Sequence, residues 1–378
     1  MTTVPLPQWT VAEATEAQFR LVDAFHREFD GYEALEAGDY GAPADLGRSR
    51  MTARVERVLA AFFGAEDVVL TPGAGTGALR SALMASLASG ASVLVHDFPV
   101  YATTAVTFRA MGLQVATCDF NDAAQLRTAL AARPDMLYVQ HARQRLDDAY
   151  SAADVIAAAR AVTPATVVLV DDNYTALAVP QIGTQLGADL SAFSLFKLLG
   201  EPGVGCVVGA ARLTDRIRAD NYSGGTKIHG PVAIATLKAL VYAPVALAIQ
   251  SDVTIEVVRR LNEGAVPGVA RAYVANHQER GALVEFDRPI AARVVEEAHR
   301  FGAAPYPVGS QSRVEVSAMI YRLSRAMCEG DPALAERMVR AQPFRAGPDT
   351  LVRVLSDTVA AVGTADAGSL ERPGEGAR

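Results

Sequence analysis

Short apolar runs alternate with amphipathic stretches through most of this chain. Val68-Val69-Leu70, Ser92-Val93-Leu94-Val95, residues 113–115, Met136-Leu137-Tyr138-Val139 and residues 167–170 read as short strands. Between them, residues 52–63, 76–88, 101–111, 122–132 and 151–162 carry apolar positions at helical spacing. Two further strands are predicted at 190–193 and 204–208. Strands alternating with helices imply an α/β domain built on a mostly parallel sheet. In such a sheet, ligands sit beyond the carboxyl ends of the strands.

The flanks differ. Residues 8–30 form an amphipathic helix with Phe19, Val22, Ala24 and Phe25 near helical spacing, and residues 31–50 are Gly-rich and irregular. After Arg212 the chain turns helical to about 262. A strand at 281–286, a helix at 289–300 and strands near 313–317 and 351–355 suggest a smaller α+β domain. The expected organisation is an N-terminal arm (1–50), a large domain (51–262), a small C-terminal domain (263–362) and a disordered tail (363–378).

Composition narrows the classes. A net charge of −7 without a basic stripe argues against a nucleic-acid partner. No apolar run approaches the roughly 18 residues needed to cross a membrane, and no signal peptide is evident. The three cysteines, Cys118, Cys206 and Cys328, are scattered, so no metal site is expected and a cytoplasmic location is the simplest reading.

Chemistry gathers at the strand ends. Gly73-Ala74-Gly75-Thr76-Gly77-Ala78 lies between a strand and a helix, where bare amides and the helix dipole attract a phosphate. It is neither a Walker loop nor a dinucleotide fingerprint, and alone it could be a tight connection. Tyr101 follows the next strand and could stack on a planar ring or simply pack on the core. Asp171 and Asp172 end an apolar strand, where carboxylates need partners. Lys197 follows Leu195-Phe196, and a lysine in apolar surroundings becomes a nucleophile. An acid and a lysine at neighbouring strand ends suit pyridoxal 5'-phosphate, with the lysine forming a Schiff base and the acid keeping the pyridine nitrogen protonated.

On these residues the chain resembles fold-type I pyridoxal-phosphate (PLP) enzymes, in particular the Cys/Met-metabolism group of cystathionine synthases and lyases. That group shows Asp-Asn-Thr, Gly-Ala-Asp and Ser-x-Thr-Lys. Here Asp172-Asn173-Tyr174, Gly187-Ala188-Asp189 and Ser194-Leu195-Phe196-Lys197 align without a gap. Thr76-Gly77-Ala78-Leu79 and Tyr101-Ala102-Thr103-Thr104 match further segments more loosely. The order of segments is also similar to a bacterial aminotransferase-like branch.

The resemblance implies that Lys197 holds the cofactor and moves the Cα proton. Asp172 would pair with the pyridine nitrogen, while an aminotransferase-type Asp-x-x-Tyr pattern would choose Asp171 and give Tyr174 the ring hydroxyl. Tyr101 would stack on the ring, and Gly75, Thr76, Gly77, Ala78 and Ser194 would hold the phosphate. Gly224 and Gly225 would reach a neighbouring subunit's phosphate in a homodimer with shared sites. Arg353, in a C-terminal strand, or Arg313 would bind the carboxylate of a small amino-acid substrate, and His141 and Arg143 would lie near the ring.

The chain also departs from the group. Phe196 replaces the threonine before the lysine, and Gly47-Arg48-Ser49-Arg50 lacks the tyrosine of the group's Tyr-Ser-Arg segment. The expected function is β- or γ-elimination or replacement on a small α-amino acid. The alternatives are transamination and a catalytically inactive binding protein on this fold.

Overall fold

The computed structural model describes residues 2–276, 280–308, 311–324, 326–328 and 331–370. They form two compact units, Leu6–Ala248 with Gln311–Arg313, and Ile249–Ser310 with Val314 onward and the first five residues. The division falls some fourteen residues before the boundary expected from sequence, inside a continuous helix (Ala243–Asn262).

The larger unit holds β1 (Asp67–Pro72), β2 (Ser92–His96), β3 (Gln114–Cys118), β4 (Met136–Gln140), β5 (Val167–Asp171), β6 (Leu190–Ser194) and β7 (Val204–Gly209). Their order is β1-β7-β6-β5-β4-β2-β3. Strands β2 to β6 pair in parallel, and β7 runs antiparallel to both of its neighbours. The helices are α1 (Val11–Glu28), α2 (Arg50–Phe63), α3 (Ala74–Ser86), α4 (Ala102–Ala110), α5 (Ala123–Ala131), α6 (Ala152–Val162), α7 (Ala211–Asp220), α8 (Gly230–Leu240) and α9 (Ala243–Asn262).

The unbroken apolar strands have a simple cause: helices cover both faces of the sheet. Val68, Leu70, Cys206 and Val208 face α1, α2 and α8. Their in-between neighbours Val69 and Val207, with Leu169 and Ala192, face α3 and α7. Val168 and Val170 pack on α5 and α6. Alternate side chains thus enter opposite layers, both of them dry. Helix α1 is part of this core through Leu21 and Ala24, so residues 11–28 are not a free arm.

Gly187-Ala188-Asp189 serves the fold. The Asp189 carboxylate accepts from Val168 N and Arg160 Nη2, both at 2.8 Å, and so fastens the start of β6 to β5. That link sets the relative height of the two strand ends that carry the acids and the lysine.

The C-terminal unit is an antiparallel sheet in the order β10-β11-β9-β8, made of β8 (Val269–Val274), β9 (Ala282–Phe286), β10 (Met319–Arg322) and β11 (Met338–Gln342). Its helices are the greater part of α9, from residue 249 on, with α10 (Ala291–Glu297), α11 (Leu334–Arg337) and α12 (Pro348–Leu370). Two strand expectations are corrected here. Residues 313–317 are irregular, and residues 351–355 are the first part of α12. Leu351, Val354, Leu355, Val359 and Val362 are buried together, which is the 3.6-residue stripe of a helix. Helix α12 continues past Gly363 to Leu370, so the expected tail starts too early, and residues 371–378 lie outside the described residues.

Candidate active site

The chain contains three lysines, Lys197, Lys227 and Lys238. Lys197 alone stands at the carboxyl end of a sheet strand, on the 3-10 turn Phe196–Leu198 that follows β6. Its Nζ lies 3.9 Å from the centroid of the Tyr174 ring and 5.9 Å from that of Tyr101. The expected lysine and its two expected aromatic neighbours therefore meet. Tyr174 is buried, with φ +70°, a left-handed conformation that costs a bulky residue about 1–3 kcal/mol. The turn that imposes it is held by Thr175 N and Ala176 N, which both donate to Asp172 O at 3.1 Å.

The two acids take opposite roles. Asp172 is fully buried, and both its oxygens are engaged. Oδ1 accepts from His141 Nδ1 (2.7 Å) and Thr175 Oγ1 (2.9 Å), and Oδ2 accepts from Gly183 N (2.9 Å). Asp171, 7% exposed, shares a strand face with Leu169 and so points toward the α3 layer. Its Oδ1 accepts from Asn173 N (3.0 Å) and Nδ2 (2.7 Å), and its Oδ2 from the Tyr138 hydroxyl (2.8 Å). Burial pushes the Asp171 carboxyl up, while hydrogen bonds from Asn173 and Tyr138 and the charge of Lys197 pull it down. Asp171 thus feels the lysine, and burial keeps the Tyr138 phenol protonated as its donor.

The glycine turn fits an anion. Gly73 (φ +89°) and Ala74 (φ +53°) are left-handed and swing the chain from β1 into α3. Ala74 N donates to Gly203 O and Gly77 N to Gly73 O, both at 2.9 Å. That leaves the first-turn amides of Gly75 and Thr76 without an acceptor among the described residues. The Thr76 hydroxyl stands 3.1 Å from that of Thr103, at the start of α4. Of the five residues expected to hold a phosphate, four lie on this turn, and of these Gly75 and Thr76 offer donors. Gly77 is small because a Cβ would strike Pro72 O, and Ala78 is buried packing. The unused amides, the lysine, the acid beside it and the exposed Tyr101 face together fit pyridoxal phosphate.

Ser194 is buried at the end of β6. Its Oγ accepts from Lys197 N (3.3 Å), and its N donates to Asn173 Oδ1 (3.1 Å). His141 holds Asp172 rather than facing open space. Arg143 is buried and donates to Tyr150 O at 3.1 Å. Gly224 and Gly225 lie on an exposed turn with open space around them.

The expected carboxylate arginines fall elsewhere. Arg353 is on the exposed side of α12, paired with Asp357 one turn on at 3.2 Å. Arg313 is half-exposed and paired with Glu201 at 2.7 Å. An i,i+4 surface pair contributes little, so an Arg353→Ala variant is expected to change the amino-acid KM by less than about twofold in steady-state kinetics. Arg345, in the C-terminal unit, has Nη1 and Nη2 buried without a hydrogen-bond acceptor among the described residues; burial lowers its pKa, against the charge of Glu315. Tyr138 carried no signal in sequence, since it sits inside an apolar run, and Asn173 stood in the aligned Asp172-Asn173-Tyr174 segment without a role of its own.

Comparison with known proteins agrees with this geometry. The profile of the family described as Cys/Met metabolism PLP-dependent enzyme matches residues 44–256, more than half of the chain. The profile of the YhfS-like C-terminal domain matches residues 255–355. The uncharacterized protein YhfS of Escherichia coli (strain K12) is 46% identical over 96% of this chain and 100% of its own. The crystal structure of YhfS, a pyridoxal-5'-phosphate dependent protein, superposes with a TM-score of 0.93 over the same shares. Cystathionine gamma synthase from Xanthomonas oryzae pv. oryzae shares the fold at 17% identity, with a TM-score of 0.72 over 92% of this chain and 98% of that one.

Proposed function

Because this chain belongs to the family of Cys/Met metabolism PLP-dependent enzymes, we propose that it carries out β- or γ-elimination or replacement on a small α-amino acid, with Lys197 as anchor and base. The observation that carries the reading is Lys197 at the end of β6, against Tyr174 and within the field of Asp171. When bound, pyridoxal phosphate supplies an electron sink for the charge left at Cα.

The residues divide the work. Gly75 N, Thr76 N and the Thr76 hydroxyl hold the phosphate at the positive end of α3. Tyr101 offers its face to the ring. Asp171 keeps a proton on the pyridine nitrogen, in preference to Asp172, whose oxygens serve the turn that shapes Tyr174. Lys197 Nζ takes the Cα proton and can return it to a neighbouring carbon, from its place on the short turn after β6.

The expected homodimer is part of this proposal. Tyr32, Leu35 and Tyr40 are exposed on the 31–47 segment, as is Tyr222 near the Gly224-Gly225 turn, and the two segments adjoin through Tyr40 and His229, with ring centroids 5.7 Å apart. A second copy would cover them, and size-exclusion chromatography with light scattering checks it.

A specific observation also favours transamination: Tyr174 follows the preferred acid Asp171 by three residues. The holoenzyme incubated with a panel of amino acids separates the readings. A keto acid released with ammonia or a thiol supports elimination. Stoichiometric conversion of the cofactor to its pyridoxamine form, without loss of a side-chain group, overturns it in favour of transamination.

A further inference from the structure

We propose that Asn173 is a positioning residue that sets the spacing between the anion-binding turn and the lysine turn, and holds Asp171 ionised. The proposal rests on the assignment of Asp171 to the pyridine nitrogen. Asn173 N and Nδ2 both donate to Asp171 Oδ1, at 3.0 and 2.7 Å. Its Oδ1 accepts from Ser194 N at 3.1 Å, and Ser194 Oγ in turn accepts from Lys197 N at 3.3 Å. The network settles the amide's orientation, since only the nitrogen can donate to a carboxylate and only the oxygen can accept from a backbone N–H.

The other side of the amide meets the glycine turn. A Cβ on Gly75 would overlap Asn173, standing 2.9 Å from Nδ2 and 3.0 Å from Cγ. Gly75 is therefore small because Asn173 is there, and its free amide approaches the ligand at a depth the asparagine determines. One side chain thus touches the acid, the strand end before the lysine, and the phosphate turn. No other common residue does all three. Alanine loses both hydrogen bonds, aspartate sets a second carboxylate against Asp171, and glutamine is one carbon too long for the gap.

The test uses the cofactor affinity of Gly75→Ala, Asn173→Ala and the double variant, with Asn173→Asp as the isosteric probe. Pyridoxal phosphate dissociation is measured by equilibrium dialysis, and cofactor absorbance is followed on acidification. Apo unfolding temperatures confirm that each variant is folded. Gly75→Ala is expected to weaken binding by about 30-fold, and Asn173→Ala by about tenfold. The double variant should bind no worse than Asn173→Ala, because removing the amide makes room for the methyl group. Asn173→Asp should lose cofactor at a pH about one unit higher than the parent, since a like charge raises the Asp171 carboxyl.

Strictly multiplicative losses in the double variant overturn the spacing role. An unchanged acid midpoint in Asn173→Asp overturns the role on Asp171. If Asp171→Asn itself retains the cofactor with an unchanged acid profile, it is the Asp171 assignment that fails, while the Gly75 and Asn173 comparison still decides the spacing. Should Gly75→Ala not fold, the Asn173→Asp midpoint decides alone.

Discussion

A Lys197→Ala variant is expected to lose the visible absorbance of the bound cofactor and roughly 10³-fold or more of turnover, because general-base transfer alone is commonly worth about 10² to 10⁴. Two roles disappear with one side chain, the covalent anchor and the group that moves the Cα proton. Neither remaining lysine is placed to substitute. Lys227 follows the exposed 224–226 turn, and Lys238 is exposed on α8. The fold should tolerate the change. Lys197 is part-exposed, and the hydrogen bond that ties its turn to Ser194 uses its backbone N–H. Far-ultraviolet circular dichroism and unfolding temperature should match the parent while activity collapses.

The second large effect separates the twin acids. Asp171→Asn should lower kcat/KM by about 10² to 10³, the range seen when a preorganised electrostatic partner is removed. Its fold should persist, because Asn173 can still donate to the retained oxygen and the Tyr138 hydroxyl can turn to accept from the new amide. Asp172→Asn should do the reverse. Both Asp172 oxygens already accept hydrogen bonds, so an amide nitrogen at either place meets a donor. The cost of burying that mismatch is about 3 kcal/mol, visible as a lower unfolding temperature.

The pH dependence of the apoprotein carries the same distinction. Burial raises the Asp171 carboxyl above its ordinary value of 3.8. A raised carboxyl contributes stability that is present below about pH 4 and is lost as pH rises through the folded-state pKa. Asparagine removes that loss. Apo Asp171→Asn should therefore be at least as stable as the parent at neutral pH, with the difference narrowing in acid. A residue that costs stability in the empty protein and supports activity in the loaded one is a functional acid.

Much of the large unit was legible because its strands are buried on both faces. Val167 to Val170 carries no polar interruption, and its alternate side chains enter two dry layers. The site was legible where chemistry breaks such runs, as at Lys197 and the paired acids. The choice between Asp171 and Asp172 was not legible. Spacing to Lys197 favoured Asp172, but strand alternation decides which side each carboxylate faces, and hydrogen-bond donors from His141, Thr175 and Gly183 are distant in sequence or hidden in a turn. The C-terminal unit was read less well. Leu351-Val352-Arg353-Val354-Leu355 suits a strand in a five-residue window, and only the further stripe through Val359 and Val362 reveals a helix. Arg353 was misplaced with it.

The most direct test of the account is to reduce the holoenzyme with borohydride, digest it and locate the pyridoxyl group by mass spectrometry. With three lysines in the chain the result is unambiguous. The account predicts the label on Lys197, in stoichiometric amount and absent from Lys197→Ala. A label on Lys227 or Lys238, or none on a protein shown to hold the cofactor, would contradict it.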